Sequence, residues 1–135
     1  EPWAFWDFMP TAAELAGVKL PPHVKTDGLS IVPLLKGGSA PQRECFYWEL
    51  HEGASLQAVR FGNWKAVLNG PSAPLELYNL KTDSGEQRNV AAENPAIVAR
   101  ARELMSSQRT EDPDWPLREK PAGKGKGKKG KKSPK

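Results

Sequence analysis

The chain has 135 residues, enough for one modest domain that would bury about two-thirds of its unfolded surface. Thirteen prolines and twelve glycines predict a loop-rich structure, a single cysteine excludes an internal disulfide framework, and no run approaches the roughly eighteen apolar residues of a membrane span. The net charge of +4 combines residues 1–119, with twelve Lys and Arg against sixteen Asp and Glu, and residues 120–135, with eight lysines and no acid. Because the chain opens without methionine, we expect that its true start is missing.

The first forty residues predict two short helices. Thr11 to Ala16 is predicted to be helical and to end at Gly17, a residue suited to a helix C-terminus. A loop follows over residues 18–26, and residues 30–36 predict a second short helix that ends at Gly37. The aromatic residues of this segment exceed what it can bury, which predicts a surface that packs on another body. These residues are Trp3, Phe5, Trp6 and Phe8.

Four strand-like runs follow, at residues 45–50, 55–61, 64–68 and 75–80. Each is rich in aromatic and aliphatic residues, and alternation places Phe46, Trp48 and Leu50 on one face. Gly62-Asn63 separates two of the runs in the order that a type II′ hairpin turn favours. We therefore expect an antiparallel meander in which Trp48 and Trp64 are core or interface aromatics rather than platforms for ligand stacking.

A helix is predicted after the strands. Asn94 is a suitable N-cap and Pro95 a suitable first helical residue, and the helix is expected to reach about Gln108. Its apolar stripe needs a partner, and the sheet is the only large surface available. The stripe comprises Ile97, Val98, Ala101, Leu104 and Met105. The prediction is an α+β fold, a small antiparallel sheet of about four strands packed against a C-terminal helix. Beyond Arg109, residues 112–116 predict an extended arm that Trp115 anchors.

The lysine-rich tail has no apolar residue to bury and repels itself, so we predict that it is disordered. Lys124 to Lys135 would attract polyanions non-specifically by counterion release. The alternative is a solubilising tail without a dedicated partner. A specific nucleic-acid role is disfavoured, because the rest of the chain is acidic and carries no recognised nucleic-acid motif.

Five blocks in order resemble the C-terminal subdomain of the sulfatase (arylsulfatase-like) family, over roughly residues 5–105. They are Asp7-Phe8-Met9-Pro10-Thr11 with Leu15-Ala16-Gly17, Asp27-Gly28-Leu29-Ser30 with Pro33-Leu34-Leu35, Phe46-Tyr47-Trp48-Glu49, Ala58-Val59-Arg60-Phe61-Gly62-Asn63-Trp64-Lys65, and Leu75 to Leu80 followed by Asp83, Glu86 and Asn89. The resemblance implies the C-terminal subdomain of an alkaline-phosphatase-like sulfatase fold. It divides the chain into residues 1–40, the end of the catalytic domain with its linker, residues 41–110, the subdomain, and residues 111–135, the arm and tail.

The resemblance also implies chemistry that lies outside this chain. A full-length sulfatase uses a formylglycine, made from Cys or Ser in a Cys-x-Pro-x-Arg or similar motif, together with calcium or another divalent cation. Cys45 lacks that motif and is interpreted as a small apolar strand residue. No cofactor is expected within the chain. The implied partners are a missing N-terminal catalytic domain and a sulfated small molecule or polysaccharide, and the implied location is periplasmic or secreted. The particular sulfate ester is not defined by the sequence.

Candidate substrate-binding residues lie at the end of the first strand and in the turn expected after it, where His51 and Glu52 precede Gly53. In sulfatases this subdomain closes one side of the catalytic cleft, so Glu49, His51 and Glu52 are candidates for its rim, with solvated turn residues as the alternative. Arg60 and Lys65 are expected to pair with Glu49 or Glu76 across the sheet, or else to attract an anionic substrate. His23 is expected to be an exposed loop residue, and no metal site is predicted.

Two functions therefore remain open. The first is the C-terminal portion of a sulfuric ester hydrolase, inactive in isolation, which supplies structure and part of the substrate cleft. The second is a non-catalytic module that its cationic tail tethers to anionic polymers.

Overall fold

The computed structural model describes residues 1–120, which divide into two compact units at the boundary between Phe46 and Tyr47. The first unit contains a 3₁₀ turn at Phe5–Asp7 and two helices, α1 at Phe8–Leu15 and α2 at Val32–Leu35. The second contains nearly all of the sheet and the long helix α3. The predicted disordered tail lies outside the described residues.

Both short helices end in the hydrogen-bond pattern of a Schellman motif. At the end of α1, the N–H of Gly17 donates to the carbonyl of Glu14 at 3.0 Å, and the N–H of Val18 donates to Ala13 at 2.9 Å. The end of α2 repeats the pattern through Gly37 and Gly38. The predicted ends are confirmed. The predicted start of α1 was wrong, because the helix begins three residues earlier, directly after the 3₁₀ turn.

A buried carboxylate organises the first unit. Asp7 is fully buried and accepts hydrogen bonds from the backbone N–H groups of Ala4 at 2.8 Å and Leu29 at 2.9 Å, and its carboxylate pairs with Arg43. Burial by itself would raise the pKa of Asp7, but the two backbone hydrogen bonds and the Arg43 guanidinium outweigh it and lower the pKa below 3.8. One ionised side chain thus joins three separate segments of chain.

Close backbone packing accompanies this ion pair. A Cβ at Gly28 would lie 2.1 Å from the carbonyl oxygen of Trp6, so only glycine fits there. The aromatic residues nearby remain on the surface, since Trp3, Phe5 and Phe8 are 52%, 88% and 63% exposed. That another body covers them stays a prediction.

The sheet has four antiparallel strands in the order β1-β2-β3-β4, which confirms the predicted meander. Their bounds are Phe46–Glu52, Ala54–Phe61, Trp64–Leu68 and Glu76–Asn79. The predicted end of β1 was wrong by two residues, because His51 and Glu52 belong to the strand and not to the turn after it. Gly62 has φ +52 and Asn63 has no positive φ, the combination that a type II′ turn requires. This turn fixes the pairing of Phe61 with Trp64 and of Arg60 with Lys65.

Helix α3, at Pro95–Gln108, packs on one face of the sheet, as predicted. Alternate residues of β2, β3 and β4 form this core with Ala101, Leu104 and Met105 of the helix. The strands contribute Val59, Ala66, Leu68 and Leu77 to this core, and Leu75, one residue before β4, joins them. The observed fold is therefore a small antiparallel sheet with a helix on one side. Within the described residues, no helix is long and apolar enough to span a membrane.

The opposite face of the sheet corrects two expectations. Trp48 is not a core residue, because it is 38% exposed on this face, and Leu50 is 49% exposed. The other predicted role of Trp48, in an interface, stays a prediction. The expected cross-strand partners of the basic residues were also wrong: the Lys65 ammonium lies 2.7 Å from both carboxylate oxygens of Glu86, a turn residue. Glu76 accepts instead from Tyr78 at 2.8 Å and Asn69 at 3.1 Å.

The arm after α3 is not simply extended. A turn closes where the N–H of Trp115 donates to the carbonyl of Asp112 at 3.1 Å. The arm then returns to β2, where the N–H of Ser55 donates to the carbonyl of Arg118 at 2.9 Å. The ring of Trp115 lies 5.7 Å from that of His51 between centroids, so this tryptophan contacts the sheet as predicted, although it is 59% exposed.

Candidate functional site

The end of the β1–β2 hairpin carries a polar cluster on the face that α3 covers. Period-two alternation places Tyr47, Glu49 and His51 on one side of β1, and their side chains meet those of Ser55 and Gln57 from β2. Arg109, one residue beyond α3, completes the group. We call these six residues the Glu49 cluster.

Glu49 is the anionic centre of this cluster, and both of its oxygens are engaged. The Tyr47 hydroxyl donates to Oε1, and the Nε of Arg109 lies 2.9 Å from the same atom as an ion pair. The Nε2 of His51 lies 2.9 Å from Oε2. The Arg109 side chain is only 6% exposed, so its charge depends on Glu49 and on the exposed Glu111, with which it also pairs.

Tyr47 is fixed as a hydrogen-bond donor. Burial, together with its hydrogen bond to Glu49, raises the pKa of its phenol well above 10. The side-chain amide of Gln57 donates to the phenolic oxygen at 2.7 Å. The hydroxyl therefore keeps its proton at physiological pH and directs it at Glu49.

Both ring nitrogens of His51 are occupied. Nδ1 lies 3.0 Å from Oγ of Ser55, which also accepts the backbone N–H of Arg118 at 2.8 Å. A neutral His51 that donates from Nε2 to Glu49 and accepts at Nδ1 from the Ser55 hydroxyl satisfies every one of these contacts. His51 is thus held in one orientation.

Hydrogen bonds link Ser55 to His51 and His51 to Glu49, as they link the nucleophile, the general base and the orienting acid of a hydrolytic triad. Ser55 is nevertheless completely buried, and its oxygen and its N–H are both bonded to the backbone of Arg118. A substrate carbonyl or ester cannot approach that oxygen. The cluster therefore positions the hairpin and the arm, and it is not a hydrolytic triad.

The structure brings together two of the three candidate rim residues. Glu49 and His51 share the cluster, and the side chain of each is 17% exposed. Glu52 lies at the end of β1, outside the cluster, and is exposed. His23 is exposed in the first unit, as predicted, and Cys45 lies one residue before β1. In residues 1–120, no three His, Cys, Asp or Glu side chains are grouped so that they could hold a metal ion.

Four of the six members of the Glu49 cluster were not predicted from the sequence. Tyr47 was identifiable, because the alternation that pairs Glu49 with His51 also includes residue 47. Ser55, Gln57 and Arg109 carried no local signal. Their roles depend on how β2 and the end of α3 meet β1 in three dimensions.

Comparisons with known proteins identify relatives of the chain. No protein-family model matches it. It is 34% identical to arylsulfatase K of Mus musculus over 104 residues, which are 68% of this chain and 18% of the relative. It is 32% identical to arylsulfatase A of Homo sapiens over 128 residues, 73% of this chain and 25% of the relative. A solved 2-O GAG sulfatase matches with a TM-score of 0.66 and 28% identity over 76% of this chain and 23% of its own. The chain thus spans about a quarter or less of each relative's length.

Proposed function

The chain belongs to the sulfatase family, and from this premise we propose that it is the C-terminal portion of a sulfuric ester hydrolase. The match to arylsulfatases over more than two-thirds of the chain supports this proposal. The four-stranded sheet with its covering helix gives independent support, because the solved sulfatase shares that arrangement at a TM-score of 0.66. The match falls on a small part of each relative, as expected of a C-terminal portion.

The catalytic groups of such an enzyme would come from the rest of the polypeptide. The proposed reaction uses a formylglycine and calcium or another divalent cation. The residues described here do not fit either group: Cys45 has no proline two residues later and no arginine four residues later, and no metal-ligand cluster exists among residues 1–120. No catalytic step is assigned to this portion.

The β1–β2 hairpin is the part that we propose lines the substrate cleft. Glu49 and Ser55 hold His51, while Glu52 is exposed beside the turn at Gly53. In this proposal the Glu49 cluster keeps the hairpin rigid. The exposed edge of His51 and the carboxylate of Glu52 would then meet the group that bears the sulfate.

The proposed substrate is a sulfated small molecule or polysaccharide. One structural relative is a 2-O GAG sulfatase, so a sulfated glycan is the substrate class to test first. A rim that carries a carboxylate and an imidazole suits hydrogen bonds to sugar hydroxyls.

The coding sequence upstream of Glu1 provides the first test. An in-frame Cys-x-Pro-x-Arg motif or its Ser equivalent, preceded by paired acidic residues, is the expected finding. A stop codon and a separate start near Glu1 would instead favour the second function, a non-catalytic module. That alternative depends on the eight lysines of residues 120–135, which would tether it to anionic polymers.

Kinetics of the full-length enzyme test the rim. For a sulfated glycan, His51→Ala should lower kcat/KM by an amount that corresponds to about 1 to 3 kcal/mol of lost transition-state stabilisation. The same variant should affect kcat/KM for a small aryl sulfate far less. Glu52→Gln is the companion variant, because it removes an exposed charge without touching the Glu49 cluster. An equal loss of kcat/KM on both substrates, or no loss on either, would show that His51 does not contact the group that bears the sulfate.

A further inference from the structure

A second polar site lies on the sheet face that α3 does not cover. Arg60 of β2 and Lys65 of β3 are direct cross-strand partners there, and both are half-buried. They border a cavity of about 350 Å³, within the size range of small-molecule sites. The cavity is lined by Trp48, Ala58, Arg60, Lys65, Leu80 and Glu86.

Only one of the two cations is neutralised. Both oxygens of Glu86 lie 2.7 Å from the Lys65 ammonium, and Glu86 itself has the left-handed φ of +54, which is unusual for a residue with a side chain. Within residues 1–120, the side chain of Arg60 makes no hydrogen bond or ion pair, although its backbone pairs with Lys65 in the sheet. The cavity therefore has an excess positive charge located at a guanidinium.

Every neighbouring carboxylate already has other partners. Glu76 accepts from Tyr78 and Asn69, and Asp83 accepts from the backbone N–H groups of Gln87 and Arg88. Glu49, an expected partner of Arg60, belongs to the cluster on the opposite face. Because Lys65 is already paired with Glu86, an added anion would meet one uncompensated cation, the Arg60 guanidinium, and would gain its own hydrogen bonds there.

From this geometry we propose that the cavity binds a small ring ligand that carries one carboxylate or sulfate group. The planar guanidinium of Arg60 offers a pair of parallel donors that match either anion. Trp48, 38% exposed, together with Ala58 and Leu80 gives an apolar wall against which a sugar or aromatic ring can lie. The site lies on the face opposite to the Glu49 cluster and does not depend on the proposed sulfatase activity.

Titration of the complete ¹⁵N-labelled chain, observed by NMR at physiological salt, tests the proposal. The probes are D-glucuronate, D-glucose 6-sulfate and neutral D-glucose. Both anionic sugars should produce saturable shifts at the Nε–H of Arg60 and the indole N–H of Trp48, whereas glucose should not. Saturable shifts with only one of the two anionic sugars also support the site, and they identify whether it binds the carboxylate or the sulfate group. Monosaccharides are chosen because a lysine-rich segment attracts polyanions chiefly through many charges at once.

A matched pair of arginine variants localises the binding. Arg60→Gln should weaken binding at least about tenfold, the loss expected when a charged hydrogen-bond donor is removed. Arg102→Gln removes the same charge from the exposed side of α3 and should leave the dissociation constant within about twofold. The absence of saturable shifts in the unmodified chain overturns the proposal whatever the variants do. Equal weakening by both variants also overturns it, because net charge alone would then explain the binding.

Discussion

Glu49→Ala should be among the most destabilising single substitutions in the second unit. It leaves the Arg109 guanidinium, 6% exposed, without its buried partner, and it leaves the donors of Tyr47 and His51 without an acceptor. Breaking a buried ion pair by removing one partner typically costs about 3 to 5 kcal/mol. Because Glu49 retains 17% exposure, water compensates in part, and we expect about 3 kcal/mol. At about 4 to 8 °C per kcal/mol for a domain of this size, Tm should fall by roughly 12 to 24 °C.

Glu52→Ala is the control, because it removes the same charge three residues away at an exposed position. Its effect should stay within about 0.5 kcal/mol. Urea denaturation followed by circular dichroism measures both variants. The double variant Glu49→Leu, Arg109→Met should recover much of the loss, since it removes the unpaired charge together with its partner. If Glu49→Ala lowers the free energy of unfolding no more than Glu52→Ala does, the Glu49 cluster contributes nothing to stability, which contradicts the reasoning from burial.

Because the folded pKa of Asp7 is depressed, its contribution to folding stability should be present above about pH 3.8 and lost as the pH falls through the folded pKa. Asp7→Asn should remove this acid dependence and should lower the free energy of unfolding by about 3 kcal/mol. Urea denaturation at several pH values measures both effects. The hydrogen bond from Tyr78 to Glu76, with partial burial, raises the pKa of Tyr78 to about 12, so stability should fall between about pH 10 and pH 12, and Tyr78→Phe should reduce that slope. Truncation after Glu119 should leave the thermal transition nearly unchanged but abolish salt-sensitive retention on heparin, and a large loss of stability would contradict it. The 135-residue chain should not hydrolyse a chromogenic aryl sulfate above background with added calcium, and turnover that survives purification would refute this.

The strands and the long helix were predictable because each carries its signal locally. Strand β3 has the predicted bounds, Trp64–Leu68, and α3 has the predicted N-cap, first residue and end. The alternation in β1 also assigned its two faces correctly. What alternation could not determine is which face α3 covers. The polar residues Tyr47, Glu49 and His51 lie on the covered side because partners from β2 and α3 satisfy them there.

The ion pairs were harder to predict, because a charged side chain selects its partner by distance in space. From the sequence, Glu76 was an expected partner of Lys65. In the sheet, the residue directly opposite Lys65 is Tyr78, and Glu76 lies two residues before it on β4. The structure instead brings Glu86 to Lys65 from a turn whose unusual backbone places it over the sheet. Likewise, nothing near Glu49 in sequence indicated Arg109, sixty residues away.

Arg109 and Arg60 show how burial determines what an unpaired charge does. Arg109 is nearly inaccessible, so water replaces a missing carboxylate only in part, and without Glu49 the charge of Arg109 would depend on the exposed Glu111. Arg60 is only half-buried, so water solvates its guanidinium while no ligand is bound. A ligand anion then exchanges with that water at small cost. The same residue type is thus expected to control stability at one face and reversible binding at the other. Arg60→Gln should accordingly change the unfolding free energy by no more than about 0.5 kcal/mol, whereas Glu49→Ala should change it several-fold more.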